Sequence, residues 1–223
     1  MQPRYAIVVA GGQGLRMGTD IPKQFLPLGA RPVLMHTLEL FTGCEQITLA
    51  LPEGQIDYWR ELCQKYGFGL KHQICPGGET RFHSVRNALE TLQGKWGCVA
   101  VHDGVRPFVS QSVIEACFIE AERSGAALPY IPVTDSLRHL AGTSSTAVPR
   151  NEFVAVQTPQ VFDLERLATA YRQEFSASFT DDASVYEAAG LGEIGLVKGN
   201  VENIKITSPQ DLATAEYILS KKL

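Results

Sequence analysis

The passage from residue 5 to residue 18 constrains the fold more than any other stretch. Residues 5–9 form a five-residue apolar run that reads as a buried strand. Ala10-Gly11-Gly12-Gln13-Gly14 follows it directly. Glycines at such a point let the backbone turn tightly and bring N–H groups against an anion. A buried strand that ends in this way belongs to an α/β sheet, where ligands sit beyond the carboxyl ends of the strands.

The rest of the chain repeats the pattern. Strands are expected at 46–51, 71–75, 98–102, 127–131 and 194–197. Helical spacing covers 32–41, 56–66, 80–92, 111–124, 164–175, 182–189 and 209–220. Gly125 ends the fourth of these helices. Ser208, Pro209 and Asp211 supply the cap, first position and acidic first turn of the last. Repeated strand-then-helix units predict a mostly parallel sheet covered on both faces. Residues 133–156 interrupt the alternation. They are polar and rich in Thr and Ser, with Gly142 and Ser144-Ser145 in the middle. They read as an extended hairpin arm, poorly buried in a monomer, so a partner subunit is expected. The expected organisation is one α/β domain, 1–132 and 157–223, carrying an arm at 133–156.

Composition excludes several classes. A chain of 223 residues with 44% hydrophobic and 20% charged residues can bury a sizeable core. Its apolar runs are too short for a membrane span or a secretion signal, so a cytoplasmic location is expected. The five cysteines, Cys44, Cys63, Cys75, Cys98 and Cys117, form no C-x-x-C pair. That argues for reduced thiols, against a disulfide framework or a zinc site. A net charge of −4 gives no support for nucleic-acid binding. Polyanionic ligands must then be met by a local cluster of cations.

Four groups of residues could form it. Arg16 lies inside the first glycine turn, and Lys23 stands close enough beyond it to fold back over bound phosphates. Two cations beside a backbone anion nest suit a triphosphate. The loop is neither a Walker A sequence nor a clean G-x-G-x-x-G, since Met17 occupies the third glycine position. His102-Asp103-Gly104-Val105-Arg106 closes a later strand. Asp103 there could hold Mg²⁺ or a ribose hydroxyl, and Arg106 could reach a phosphate. His102 has no second histidine at ligand spacing and reads as a packed residue. Gly77-Gly78 opens a helix with Thr80, Arg81 and Ser84 on its first turns, where a base or ribose could be read. The fourth group is scattered: Arg138 and Arg150 on the arm, Thr158, the run Thr180-Asp181-Asp182-Ala183, and Lys205. Lys205 lies in a short apolar stretch read as a strand, where a buried lysine needs an anionic partner.

In order along the chain, these motifs resemble the 2-C-methyl-D-erythritol 4-phosphate cytidylyltransferases of the non-mevalonate isoprenoid pathway. The resemblance runs from about residue 6 to residue 219. It rests on Gly11-Gly12-x-Gly14-x-Arg16-Met17, Pro22-Lys23-Gln24-Phe25, Gly77-Gly78-x-x-Arg81-x-x-Ser84-Val85, His102-Asp103-x-x-Arg106-Pro107, Gln157-Thr158-Pro159-Gln160, Thr180-Asp181-Asp182-Ala183 and Asn203-Ile204-Lys205-Ile206-Thr207. It implies a Rossmann-like nucleotidyltransferase fold with a protruding β-arm, a homodimer with interlocking arms, and Mg²⁺-dependent attack of a substrate phosphate on the α-phosphorus of CTP. It also assigns roles. Arg16, Lys23 and Lys205 would be catalytic. Ala10, Gly11, Gly12 and Gly14 would hold the triphosphate. Gly78, Arg81 and Ser84 would surround the cytidine, and Asp103 with Gly104 would lie beside the metal or ribose. Arg106, Ser136, Arg150, Thr158, Thr180, Asp181 and Lys205 would contact methylerythritol phosphate. The chain departs from the family's pattern at Gly104, where Ala is common, and at Arg138, where the arm often carries Lys.

A phosphate nucleophile is already anionic at neutral pH, so no general base is required. Catalysis reduces to in-line positioning and charge neutralisation. The nearest alternative is a cytidylyltransferase for ribitol 5-phosphate, which shares several motifs. The run Thr180-Asp181-Asp182-Ala183 favours the methylerythritol family. A non-catalytic nucleotide-binding dimer is a second alternative, and the intact Arg16, Lys23 and Asp103 argue against it. A Rossmann dehydrogenase is disfavoured by the glycine pattern, and no acidic residue stands cleanly after the second strand to bind ribose.

Overall fold

The computed structural model describes residues 2–12 and 21–221. The chain begins with β1 (Arg4–Val9), a small hairpin of β2 (Pro27–Leu28) and β3 (Arg31–Pro32), α1 (Val33–Glu39), β4 (Gln46–Leu51), α2 (Ile56–Lys65) and β5 (Gln73–Pro76). There follow α3 (Arg81–Glu90), β6 (Cys98–Asp103), α4 (Gln111–Ser124) and β7 (Ala126–Pro132). A separate hairpin of β8 (Leu137–Ala141) and β9 (Ser144–Val148) precedes β10 (Val154–Val156), β11 (Gln160–Asp163) and α5 (Leu164–Ala170). The chain closes with α6 (Asp182–Ala188), β12 (Gly195–Lys198) and α7 (Pro209–Ser220).

The alternation of side chains along β1 sets the layers. Ala6 and Val8 pack into a core with Leu34, Met35, Leu49, Trp59 and Phe118 on one face. Tyr5 and Ile7 pack on the other face with Val85, Leu89, Phe162, Leu167 and Tyr186. Strands buried on both faces carry apolar residues at nearly every position, which is why the first run gives no clean period-two pattern. Fully burying a side chain such as Ile7 or Leu49 contributes about 2–3 kcal/mol.

The main sheet has eight strands in the order β10-β7-β11-β6-β1-β4-β5, with β12 also on β7. β1 runs parallel to β4 and β6, β4 parallel to β5, and β7 parallel to β12. β11 runs antiparallel to β6 and β7, and β10 antiparallel to β7. The sheet is thus mixed and mostly parallel, as the strand–helix alternation predicted. Register aligns the functional loops: Val9 stands opposite both Ala50 and Asp103, and Leu51 opposite Pro76. The loops after β1, β5 and β6 therefore emerge side by side.

The helix signals translate into local geometry. Ser110 accepts the Val113 N–H at the start of α4, and Gly125, at φ 95°, closes its end. Ser208 and Asp211 form a reciprocal capping box at α7, with Pro209 at its start. The small β2–β3 hairpin was not expected, and three longer elements also differ from the sequence expectation. β11 lies in a stretch read only as a motif. β10 falls inside the expected arm but pairs with β7 in the main sheet. The helix expected over 164–175 ends at Ala170, where the Gln173 side chain donates to the carbonyls of Ala170 and Val185. Among the described residues no helix is long and apolar enough to cross a membrane.

Candidate active site

A cleft of about 240 Å³ opens where the three loops meet. Ala10, Gly11 and Gly12 form one wall, Gly78, Thr80, Arg81 and Ser84 another, and Lys23, Asp103 and Lys205 line it as well. Two serine hydrogen bonds hold the second wall. Ser84 Oγ accepts the Gly78 N–H at 3.0 Å and donates to the Thr80 carbonyl at 3.0 Å. Thr80 caps α3 by accepting the His83 N–H. Gly78 must be a glycine, since a β-carbon there would stand 2.3 Å from His83 Cβ.

Lys23 folds back over the first glycine turn. A β-carbon built on Gly12 would lie 3.0 Å from Lys23 Cε and 3.3 Å from its Nζ. Gln24 is fully buried beside it, and its Nε2 donates to the Ala10 carbonyl at 2.9 Å and to Gln55 at 2.7 Å. The turn of Pro22 to Phe25 is thereby pinned to the end of β1, and the lysine is carried with it.

Asp103 is the anionic centre. Its Oδ2 accepts from Lys205 Nζ at 3.0 Å and from Arg106 Nε at 3.1 Å. Arg81 Nε lies 3.8 Å from its Oδ1. Burial favours the protonated carboxyl, but Arg81, Lys205 and Arg106 together outweigh it and hold Asp103 well below the usual carboxylate range. The site therefore presents a fixed anion ringed by cations.

The family follows from comparison with known proteins. The sequence profile of 2-C-methyl-D-erythritol 4-phosphate cytidylyltransferase (IspD) matches residues 5–221. The chain belongs to the IspD family. The Bacteroides fragilis 2-C-methyl-D-erythritol 4-phosphate cytidylyltransferase is 56% identical over 219 residues, covering 97% of this chain and 99% of that protein. The crystal structure of the Thermus thermophilus cytidylyltransferase superposes with a TM-score of 0.77 at 34% identity, covering 96% of this chain and 98% of that one. The 4-diphosphocytidyl-2C-methyl-D-erythritol synthase of Anaerococcus prevotii gives 0.83 at 26% identity, with 98% and 99% covered. The fold is accordingly the Rossmann-like nucleotidyltransferase fold.

Against that family pattern the site residues divide. The structure brings together Ala10, Gly11, Gly12, Lys23, Gly78, Arg81, Ser84, Asp103 and Lys205. Gly14 and Arg16 lie outside the described residues. Lys205 is not in a strand, and its side chain is 42% exposed rather than buried. The turn at Asn203, whose side chain donates to the Thr158 carbonyl at 2.8 Å, breaks the extended run. The anionic partner expected for Lys205 is nonetheless present, as Asp103.

Arg106 does not line the cleft: its guanidinium is committed to Asp103 and to the Asn203 carbonyl. Thr158 is buried against Asp103 and His102. Asp181 caps α6, accepting from Ser184 N–H and Gln160 Nε2. Thr180 is exposed beside it, and its N–H donates to Ser184 Oγ. Ser136 and Arg150 are exposed near the arm, where Arg150 donates to the Thr134 carbonyl. Arg138 is spent within the hairpin on Ser145.

Gly104 has a local reason. It does not line the cleft, and a β-carbon on it would stand 2.8 Å from Ala10 Cβ and 3.2 Å from the Val9 carbonyl, so it packs behind the cleft more closely than an alanine allows. Sequence reasoning assigned no role to three contributors: Gln24, Glu79 and Asp182. Gln24 and Glu79 line the cleft. Asp182 is fully buried and takes Arg81 in a two-pronged ion pair at 2.8 and 2.6 Å, with the Tyr171 hydroxyl donating at 2.6 Å. Its signal was present, as a second acid directly after a helix cap.

Burial holds the His102 ring down from an ordinary 6.5 to about 4. A folded value below the unfolded one means that the unfolded chain takes up the proton first. This contribution to stability, about 3 kcal/mol, is complete above pH 6.5 and is lost as pH falls toward 4. Urea unfolding of the chain between pH 7 and pH 4.5 should show that decline, with a smaller slope in His102→Gln. Equal slopes would remove His102 as its source.

Proposed function

We propose that this chain transfers CMP from CTP to 2-C-methyl-D-erythritol 4-phosphate, forming 4-diphosphocytidyl-2-C-methyl-D-erythritol and pyrophosphate. The observation that carries the reading is the cleft itself: a glycine turn under Lys23, facing Asp103 and Lys205 across a helix start fit for a nucleoside. An oxygen of the substrate phosphate attacks the α-phosphorus, and the bond to the β-phosphate oxygen breaks as pyrophosphate leaves. The nucleophile is already anionic, so the chain needs no base. Lys23 neutralises charge on the triphosphate side, Lys205 receives the incoming phosphate, and the backbone around Gly78 with Ser84 orients the cytidine.

The donor set fits magnesium. Among the described residues no group of three metal-ligating side chains occurs. Mg²⁺, however, keeps most of its waters and takes phosphate oxygens with one or two carboxylates. Asp103 is the carboxylate that would hold it: its Oδ2 is taken by Lys205 and Arg106, and its Oδ1 keeps only the longer approach of Arg81, at 3.8 Å. When bound, the ion supplies neutralisation of the triphosphate charge.

The deciding assay is pyrophosphate release from CTP, with methylerythritol phosphate and ribitol 5-phosphate in parallel. Release only with the former is expected. Release with the latter alone would replace the substrate assignment. Chelator should abolish turnover and Mg²⁺ restore it, and full turnover in excess chelator would remove the metal from the mechanism.

The chain works as a homodimer through its hairpin, in the cytoplasm. Support comes from apolar side chains left in water: Leu140 on β8 is 75% exposed, and Phe153, Val154 and Val156 are exposed at the sheet edge. The cytoplasmic reading is supported by five unpaired cysteines, whose burial pushes Cys44, Cys98 and Cys117 up to about 12 and Cys63 and Cys75 to about 11. Replacing residues 137–148 by a short Gly-Ser turn leaves β10 in the sheet. It should give a folded monomer that binds CTP without turnover. Intact protein that sediments as a monomer at micromolar concentration would contradict this.

A further inference from the structure

His102 is fully buried at the end of β6, beside the central carboxylate but outside the cleft lining. Both of its ring nitrogens are engaged. Nε2 lies 2.9 Å from the Arg106 carbonyl, which can only accept, so Nε2 carries a proton. Nδ1 lies 3.0 Å from Thr158 Oγ1, and the same oxygen accepts the Asp103 N–H at 3.1 Å. With that oxygen already accepting, its own hydrogen points to Nδ1. A doubly protonated ring would make Thr158 accept twice and strand its hydrogen. One tautomer therefore satisfies every group: Asp103 N–H to Thr158 hydroxyl, Thr158 hydroxyl to Nδ1, and Nε2–H to the Arg106 carbonyl.

This relay ties both ends of the turn that carries Asp103 and Arg106 to Thr158, in the segment that leads into β11. We propose that His102, as the Nε2–H tautomer, is a positioning residue that acts through the Thr158 hydroxyl to fix the Asp103 backbone in its reacting orientation. The inference rests on the cytidylyl-transfer reading, because Asp103 matters for rate only if the cleft performs it. Residues that orient a ligating group commonly change activity by about tenfold to a hundredfold without touching substrate. His102 would act at that level, with Thr158 as the link in the relay.

The test has two readouts. In long-range ¹H–¹⁵N spectra of the intact chain labelled at histidine, His102 should show an unprotonated Nδ1 and a protonated Nε2. A protonated Nδ1 overturns the relay. His102→Gln keeps the donor toward Arg106 but loses the acceptor toward Thr158, and Thr158→Val loses the hydroxyl. Each should move the Asp103 amide resonance and lower kcat by about tenfold or more, with KM for CTP within about threefold. The double variant should be no slower than the slower single one, and Thr158→Ser should restore the rate. Losses that multiply, or a change confined to KM, overturn the proposal. An inactive wild-type chain would sink cytidylyl transfer and, with it, the rate-setting role. The tautomer and the Asp103 amide would then still report whether the relay exists.

Discussion

Lys23→Ala should fold normally, bind CTP within about tenfold of the parent, and lose about a hundredfold or more in kcat. The expectation rests on placement. Lys23 Nζ would stand 3.3 Å from a β-carbon on Gly12, so the ammonium already hangs over the turn that would hold the triphosphate. The buried Gln24 fixes the lysine's backbone through the Ala10 carbonyl. An ammonium fixed before reaction spends no reorganisation when charge grows on the α-phosphate oxygens and the leaving pyrophosphate. It therefore favours the transition state over bound CTP, which raises kcat rather than lowering KM. Removal of one such preorganised donor typically costs about 3 kcal/mol. Steady-state kinetics with equilibrium CTP binding separates the two effects. Near-normal kcat with a raised KM for CTP would make Lys23 a binding residue and leave the rate to Lys205 and the other cations.

Much of this site was legible because the chemistry sits in loops that follow strands, and strand ends are marked by glycine. Gly11, Gly12, Gly78 and Asp103 each stand at such an end, and sheet register does the rest by aligning β1, β4, β5 and β6. What stayed hidden depends on contacts across long stretches of chain. β11 is four residues, Gln160–Asp163, two of them polar, too few for a period to show. Its Gln160 is buried because it donates to Asp181 and accepts the Ala183 N–H. Lys205 read as a strand residue because Ile204 and Ile206 flank it, yet those side chains join the small core beneath α7 from an irregular segment. Local pattern reports that a residue faces the interior. It does not report which distant backbone satisfies its polar groups.

Asp182 shows the same gap with a larger energetic consequence, and it sets the largest expected loss of stability. Asp182→Ala should destabilise the chain by about 3–5 kcal/mol, because breaking a buried pair strands the remaining charge. Here that charge is Arg81, and the Tyr171 hydroxyl loses its acceptor as well. Burial works against the Arg81 charge, but Asp182 first and Asp103 second outweigh it and raise its affinity for the proton. Without Asp182 the guanidinium keeps one carboxylate, Asp103, now 3.8 Å away, and moves toward the cleft to reach it. Against a typical total of about 5–15 kcal/mol such a loss is a large fraction. Urea unfolding should read it as a lower midpoint at unchanged slope. The apolar double variant Arg81→Met with Asp182→Leu should recover most of the stability, since two hydrophobic side chains of similar volume replace a desolvated pair. It should not recover activity, because Arg81 lines the cleft beside Asp103. If Asp182→Ala instead costs under about 1 kcal/mol, within the range of an exposed ion pair, the pair is not what joins α3 to α6.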